Sequence, residues 1–262
     1  MAHRGGGLEV PENSRTALEH TVALGYQYLE TDLHRTVDDV VVLLHDDTLD
    51  RTTDGRGPLG ALRWDQAALL RDRSGGRLVR LDEALRDFPS LLLNIDLKED
   101  AVVGPTMRVL AEHEALDRVV FSSFSDARLR SVRRLTGGRA RTSMGPDEIR
   151  RLVVAAALPA RLGAATARAI GVPHPGRTDG QRAHCVQVPV EHRGVPVVTP
   201  GFVAVAHALG LDVHVWTIDD RAEMTRLLDL GVDGLVTDRP TLLRDVLRER
   251  GQWPAGPAGT AG

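Results

Sequence analysis

Two stretches decide the fold prediction: L-E-T-D at 29–32 and N-I-D-L-K at 94–98. Side chains two residues apart on a β-strand point to the same face. Glu30 and Asp32 are therefore predicted to converge on one face of a strand, with leucines on the other. Two adjacent carboxylates repel each other unless a positive group lies between them. A divalent cation would supply that charge, and a pair of solvated carboxylates at a strand end is the alternative interpretation.

The second stretch repeats this alternation and adds a positive side chain. Asn94, Asp96 and Lys98 are predicted to share one face of their strand. Taken alone, the pattern fits an internal Asp96–Lys98 ion pair as well as a site for a metal and an anion. Together with Glu30 and Asp32, it predicts a site with three carboxylate ligands. All-oxygen ligation is typical of Mg²⁺ or Ca²⁺.

Around these stretches, short apolar runs alternate with longer helical patterns. The runs lie at 27–33, 39–46, 90–98, 118–124, 184–190, 211–218 and 233–238. The helical patterns lie at 14–25, 101–115, 125–137, 147–163, 200–210 and 220–231. This alternation indicates a parallel sheet with helices packed outside it. We predict an α/β fold, a (β/α)8 barrel of the TIM type, in which the active site lies at the carboxyl ends of the strands.

One connection breaks the alternation. Residues 34–39 are too few for a crossover between parallel strands, so the two flanking runs form a hairpin or the second belongs to an inserted element. The segment at about 47–80 is rich in Gly, Asp and Arg. We predict that it is a small loop-rich insertion after the second or third strand, with a short helix near 65–72. A single domain at 1–249 and a disordered Pro/Gly/Ala-rich tail at 250–262 complete the prediction.

Two histidines and an arginine are candidates for chemistry. His3 lies in A-H-R-G, and His45 ends the apolar run in L-L-H-D. Imidazole is the natural general acid or base near neutral pH, and Arg4 can hold a phosphate through two hydrogen bonds. In P-E-N-S, Asn13 or Ser14 is a good helix N-cap, and a helix N-terminus at the pocket would favour an anion.

Composition excludes several classes of protein. The net charge of −3 gives no basic surface for nucleic acid. The single cysteine, Cys185, rules out a disulfide framework and a cysteine-based metal site. No apolar run reaches the roughly 18 residues of a transmembrane span, and the N-terminus lacks the apolar region of a signal peptide. These features predict a cytoplasmic protein and leave its oligomeric state open.

The order of the motifs resembles that of the glycerophosphodiester phosphodiesterase family. The resemblance extends from residue 2 to about residue 248, and the ordered set is more specific than any single motif. Its motifs are H-R-G (3–5), P-E-N-S (11–14), L-E-T-D (29–32), H-D (45–46), R-T-T-D-G (51–55), N-I-D-L-K (94–98), S-S-F (122–124), V-W-T (215–217) and G-V-D-G-L-V-T-D-R-P (231–240). The resemblance implies a TIM barrel with an insertion after H-D. It also implies hydrolysis of glycerophosphodiesters, such as glycerophosphocholine, to glycerol 3-phosphate and an alcohol.

The resemblance also implies roles for individual side chains. The implied metal ligands are Glu30, Asp32 and Asp96, and the implied acid–base pair is His3 and His45. Arg4 and Lys98 would contact the phosphate, and Glu12 and Asn13 would line the site. Trp216 would form part of the pocket wall near the leaving alcohol. A plain core aromatic is an equally good interpretation of Trp216.

Two departures from the family pattern bear on these roles. The family more often has Glu where this chain has Asp96, which affects the choice of metal. A β-strand precedes H-R-G in the family, whereas only Met1 and Ala2 precede His3 here. We therefore predict a truncated first strand, either with an exposed neighbouring backbone and a loosely held His3, or with a true start that lies upstream.

Several alternatives stay open at this point. The attacking oxygen is that of water or the substrate's own 2-hydroxyl, and either histidine can be the base. A lysophospholipase D-like phosphodiesterase is the alternative enzyme, and it would need an apolar groove for an acyl chain. A non-catalytic phosphate-binding barrel is the alternative outside enzymes, and the truncated first strand motivates it.

Overall fold

The computed structural model describes residues 1–253. The strands are β1 (Ala2–His3), β2 (Tyr28–Arg35), β3 (Val41–Leu43), β4 (Leu92–Leu97), β5 (Val119–Ser122), β6 (Arg141–Thr142), β7 (Cys185–Val188), β8 (Glu191–His192), β9 (Val195–Pro196), β10 (Asp212–Val215) and β11 (Gly234–Leu235). The helices are α1 (Arg15–Ala23), α2 (Trp64–Ala67), α3 (Leu81–Asp87), α4 (Val103–Glu112), α5 (Asp126–Leu135), α6 (Pro146–Ala155), α7 (Ala160–Ala169), α8 (Pro200–Ala208), α9 (Arg221–Leu230) and α10 (Pro240–Glu249).

Parallel strands form a closed wall. One sheet has the order β1-β2-β4-β5-β6, and a second has the order β11-β10-β7. Backbone hydrogen bonds join them at both edges. The His184 N–H donates to the Thr142 carbonyl at 2.9 Å, and the His3 N–H donates to the Thr237 carbonyl at 2.8 Å. The predicted TIM-type barrel is confirmed.

The first strand contains only Ala2 and His3 but is paired on both sides. These residues are in parallel register with Leu29 and Glu30 of β2, and Ala2 also forms a parallel bridge with Thr237. The neighbouring backbone is therefore covered. The expectation of a loosely held His3 is wrong, because two strands are enough to hold even a two-residue segment between them.

The alternation read from the sequence separates the two faces of the wall. Leu29 and Leu33 of β2, and Ile95 and Leu97 of β4, are buried in one apolar cluster with residues of α1, α3, α4 and α5. Burial of these faces against the helices is the main stabilising contribution. The polar side chains at the intervening positions are left to point into the barrel.

Helix α1 begins beside the end of β1. The Ser14 hydroxyl accepts a hydrogen bond from the Ala17 N–H at 3.0 Å and caps the helix. Gly5 has a φ of +84°, and a Cβ there would lie 2.4 Å from the Ala17 Cβ. The glycine of H-R-G is therefore required both for its backbone conformation and for the close approach of α1.

The predicted hairpin and insertion are both present. Strand β3 pairs antiparallel with β2 and brings Leu43 opposite Leu33. Within 47–80, the predicted helix near 65–72 is the shorter α2. A small apolar core joins the insertion to the end of β3, and its members are Val42, Leu44, Leu49, Leu59, Ala67 and Leu78.

Two predicted boundaries are wrong. The helix predicted at 147–163 is two helices, α6 and α7, because Pro159 cannot donate a backbone hydrogen bond and disfavours helical geometry at Leu158. The second is the start of the disordered tail at residue 250, since residues 250–253 are described and the Trp253 ring packs edge-on against Tyr26 with centroids 4.7 Å apart. The rest of that predicted tail, 254–262, lies outside the described residues. In residues 1–253, no helix is long and apolar enough to cross a membrane.

Candidate active site

A cavity of about 760 Å³ opens at the carboxyl ends of the strands. All but two of the predicted site residues line it, although they come from distant parts of the chain. The predicted residues on its wall are His3, Arg4, Glu30, Asp32, His45, Asp96, Lys98 and Trp216. The two that are not among the lining residues are Glu12 and Asn13.

Lys98 holds two of the three predicted metal ligands. Its ammonium lies 2.8 Å from Asp32 Oδ1 and 2.7 Å from Asp96 Oδ2. The ion pair considered from the sequence is therefore present and includes Asp32 as well. Burial lowers the pKa of Lys98, but the two aspartates outweigh that effect and raise it. Burial raises the pKa of Asp32, while Lys98 and Arg4 outweigh it and lower the value.

The third carboxylate has weaker compensation, with His3 Nε2 at 3.7 Å from Glu30 Oε2. Burial and the charge of Asp32 raise the pKa of Glu30 to about 8. Its Oε2 accepts a hydrogen bond from the Arg4 backbone N–H at 3.2 Å. Asp96 Oδ1 is buried without a hydrogen-bond partner. A carboxylate with a raised pKa and an unpartnered buried acceptor are both features that a hard cation would satisfy.

A pre-arranged metal cage is absent all the same. Among residues 1–253, no three His, Cys, Asp or Glu side chains are placed to hold a metal ion as they stand. The Lys98 ammonium contacts Asp32 and Asp96 and so competes with a cation for their oxygens. The donor set, which includes Glu30 and the unpartnered Asp96 Oδ1, fits Mg²⁺ or Ca²⁺ by its chemistry.

Both candidate histidines are backed by a carboxylate. His3 Nδ1 lies 2.8 Å from Asp238 Oδ1, and His45 Nδ1 lies 2.6 Å from Asp46 Oδ1. Such contacts place the proton on Nδ1 and leave Nε2 as the nitrogen that can exchange a proton, and the Nε2 of His3 lies 3.7 Å from Glu30 Oε2. Burial lowers the pKa of His3, but Asp238 and Glu30 outweigh it and raise the pKa.

The two residues expected to line the site lie behind its wall instead. Glu12 Oε1 accepts a hydrogen bond from Arg4 Nη1 at 3.0 Å, and the Asn13 amide donates to Asp32 Oδ2 at 3.1 Å. Arg4 and Asn13 both have a left-handed backbone, with φ of 51° and 53°. Such a conformation is costly for Arg and tends to occur at functional sites.

Three residues next to the site had no role in the sequence interpretation. Asp238 supports His3, and Gln187 Nε2 donates to Asn94 Oδ1 at 3.0 Å. Arg51 donates to both Glu12 and Asp46. Arg51 and Asp238 fall within the R-T-T-D-G and T-D-R-P motifs, which were the available signals, but sequence spacing does not identify their partners.

An apolar strip lies on the side of the cavity formed by α6 and the β8–β9 hairpin, where Arg150, His192 and Arg193 also line the cavity. Ile149, Val153 and Val154 of α6 line it, as do Val195 and Val197 at the β8–β9 hairpin. Val154 and Val195 are 68% and 60% exposed, so this wall continues to the protein surface. The apolar groove that the sequence did not reveal is therefore present beside the polar cluster.

An aromatic pair lies at the same cavity. The Trp216 and Phe124 rings meet edge to face with centroids 5.9 Å apart, and the Lys98 ammonium lies 5.9 Å from the Phe124 centroid. Trp216 is thus a cavity wall residue rather than a plain core aromatic.

One end of this α/β barrel carries buried carboxylates, two imidazoles that each contact a carboxylate, and an Arg–Lys pair. This combination is typical of enzymes that act on an anionic, phosphate-bearing substrate. A sequence model of the glycerophosphoryl diester phosphodiesterase family matches residues 3–242. The Mycobacterium tuberculosis protein named "Probable glycerophosphodiester phosphodiesterase 2" is 37% identical over 254 residues, which cover 97% of this chain and 92% of the relative. The chain belongs to the glycerophosphoryl diester phosphodiesterase family, and the predicted resemblance is confirmed.

Two further proteins show the breadth of the similarity. An Oleispira antarctica phosphodiesterase, solved in complex with the product sn-glycerol-3-phosphate, shares the fold with a TM-score of 0.73 at 21% identity, over 94% of this chain and 95% of that one. A human protein named "Lysophospholipase D GDPD1" is 24% identical over 94% of this chain and 85% of its own length. Members of the family generally depend on a divalent metal.

Proposed function

We propose that this chain hydrolyses glycerophosphodiesters to glycerol 3-phosphate and an alcohol with the help of a divalent cation. The observation that carries the proposal is the convergence, in one cavity, of phosphate-binding cations, buried carboxylates and two oriented imidazoles. Membership of the family supports the reaction class. The cytoplasmic location and the single domain at 1–249 stay predictions.

Glu30, Asp32 and Asp96 are the proposed ligands of Mg²⁺ or Ca²⁺. When bound, the cation would neutralise charge on the phosphodiester oxygens. Arg4 would bind two phosphate oxygens through its planar fork, and Lys98 would add a point charge beside them. Substrate would thus compete with Asp32 and Asp96 for the Lys98 ammonium, because one ammonium cannot satisfy all three anions equally well.

His3 and His45 are the proposed acid–base pair. One Nε2 takes the proton from the attacking oxygen, and the other donates a proton to the leaving alkoxide. Asp238 and Asp46 stabilise the imidazolium form of each ring while it holds the proton. Trp216 is proposed to border the leaving alcohol. A cyclic phosphate that forms before glycerol 3-phosphate would identify the 2-hydroxyl as the attacker, and its absence in a rapid quench would favour water.

Release of glycerol 3-phosphate from glycerophosphocholine and glycerophosphoethanolamine is expected to require a divalent cation. EDTA should abolish the release, and Mg²⁺ or Ca²⁺ should restore it, because three buried carboxylates at this site need compensating charge. The measurement is product release with each cation after chelation, with circular dichroism as the control for folding. Release that is insensitive to EDTA contradicts the metal site. No release with any cation, from folded protein, favours the non-catalytic binding barrel.

The apolar wall favours a second candidate function, the lysophospholipase D-like hydrolysis of substrates that carry one aliphatic chain. The wall adjoins the polar cluster within the same cavity, whose volume is in the range typical of sites for drug-sized ligands. A chain along Val153, Val154 and Val195 would remove apolar surface from water.

Water-soluble lysophosphatidylcholines of increasing chain length test this second function. The kcat/KM is expected to rise by up to about fourfold for each methylene that the wall covers. Val154→Asp should reduce this dependence and leave glycerophosphocholine hydrolysis unchanged. Leu135→Asp is the matched control, since Leu135 is also exposed, at 61%, but lies on α5 and is not among the lining residues. A rate that does not change with chain length contradicts the second function and leaves the first intact.

A further inference from the structure

We propose that Arg51 is a positioning residue that fixes the orientation of the Arg4 and His45 side chains relative to each other. This gives the insertion at 47–80 a role in the reaction. The inference rests on the proposed function. Arg51 and Glu12 are not among the residues that line the cavity. Any effect of Arg51 on the reaction therefore acts through the residues that it contacts.

Arg51 uses its guanidinium to hold two carboxylates at once. Nη1 and Nη2 donate to the two oxygens of Glu12 at 2.7 Å and 2.8 Å. Nε and Nη2 donate to the two oxygens of Asp46 at 2.7 Å and 3.0 Å. Both contacts are bidentate, a geometry that fixes the orientation of each carboxylate as well as its distance from the guanidinium. Lysine could not reproduce it, because an ammonium is a point charge without a planar fork.

Each of these carboxylates holds one group of the reaction centre. Glu12 accepts from Arg4 Nη1 at 3.0 Å, and Asp46 lies 2.6 Å from His45 Nδ1. The five side chains form a continuous bridge in the order Arg4, Glu12, Arg51, Asp46, His45. The residue proposed to bind phosphate is thereby tied to a residue proposed to move the proton.

The charges explain why the centre of the bridge matters. The Glu12 and Asp46 side chains are only 15% and 26% exposed, and Arg51 is the cation that they share. Hydrogen bonds from Arg51, with a further contribution from His45, hold the pKa of Asp46 well below its usual range despite partial burial. Without Arg51, the two anions would repel each other and turn toward water. Arg4 and His45 would then lose their fixed orientation.

The insertion holds Arg51 by its backbone. Arg73 Nε donates to the Arg51 carbonyl at 3.0 Å, and Arg73 Nη2 donates to the Asp50 carbonyl at 3.3 Å. The apolar core that joins the insertion to β3 includes Leu49, two residues before Arg51. The Arg51 side chain itself is 48% exposed, so its truncation leaves no cavity in the core. An effect on the site can therefore be separated from an effect on stability.

The test compares Arg51→Ala with Arg56→Ala. Arg56 lies in the same insertion and its side chain is 88% exposed. Its ion-pair partner, Asp50, is 3.6 Å away and outside the bridge. Arg51→Ala is expected to lower kcat/KM for glycerophosphocholine roughly 10- to 100-fold, the order expected for a displaced reacting group. Arg56→Ala should match the parent protein. Guanidinium ion at low millimolar concentration should restore part of the lost rate in Arg51→Ala and have no effect on Arg56→Ala.

A second measurement does not depend on turnover. In ¹⁵N spectra of the histidine rings, His45 is expected to carry its proton on Nδ1 in the parent protein and to show a mixture of tautomers in Arg51→Ala. A merely structural Arg51 would lower the melting temperature without this change and without rescue by guanidinium. Unchanged spectra and unchanged kcat/KM overturn the inference. Failure of the parent protein to release product overturns the proposed function instead, and the spectra still decide the role of Arg51.

Discussion

Replacing His45 with Ala is expected to lower kcat for glycerophosphocholine by at least about 10²-fold, the usual contribution of a general acid or base. The reason is geometric. Asp46 places the proton on His45 Nδ1, so the ring presents Nε2 as the one nitrogen that can exchange a proton with substrate. Steady-state kinetics on the cation-loaded protein measure the effect, and KM should change much less than kcat because His45 is not one of the proposed phosphate contacts.

His207→Ala controls for the loss of an imidazole as such. His207 lies on α8, its side chain is 42% exposed, and its partner Asp233 is outside the cavity lining. It should retain the parent rate. Near-full activity of His45→Ala would remove His45 from the acid–base pair and leave His3 as the single candidate histidine among those assigned to the site.

Replacing Arg133 with Met is expected to lower the free energy of unfolding by about 3–5 kcal/mol, the cost of leaving a buried charge without its partner. The Arg133 and Glu148 side chains are 1% and 3% exposed and are joined by hydrogen bonds of 2.7 Å and 3.0 Å. Arg133 also donates to the Thr142 hydroxyl and the Ser143 carbonyl. The guanidinium therefore links α5, β6 and α6. Its loss leaves the Glu148 carboxylate buried without its positive partner.

A double variant distinguishes charge from packing. Arg133→Met combined with Glu148→Leu removes both charges and should recover a large part of the lost stability, because an apolar pair can replace a buried ion pair at little net cost. Urea unfolding followed by circular dichroism gives the free energies. If the double variant were less stable than Arg133→Met alone, another contact of Glu148, such as the hydrogen bond that it accepts from the Gly145 N–H at 3.1 Å, would outweigh the cost of its unpaired charge.

The local part of the site could be predicted because it follows from strand geometry. Glu30 and Asp32 share a face of β2 by parity alone, and Asp96 and Lys98 share a face of β4. Parallel register then brings Asp32 opposite Asp96. The hairpin was predictable for a similar reason, since the segment between its strands is too short for a crossover.

The parts that were missed depend on contacts between distant segments. Glu12 was expected on the cavity wall, but the structure places it against Arg4 and Arg51, which come from different loops. The division of 147–163 into two helices follows from Pro159, a local signal that the helical periodicity on either side of it masks. The apolar wall combines residues of α6 with residues of the β8–β9 hairpin, and neither segment shows this alone.

The sequence by itself determined the barrel, the family and the chemical nature of the groups at the site. Strand parity depends only on neighbouring residues, and the order of the motifs is given directly by the chain. Only the tertiary structure decided that Lys98 contacts Asp32 as well as Asp96, that β1 closes the barrel with two residues, and that Arg51 links Glu12 to Asp46. The physical reason is that hydrogen bonds and ion pairs act over a few ångströms in space. Which charges come within that distance is set by how the helices and loops pack.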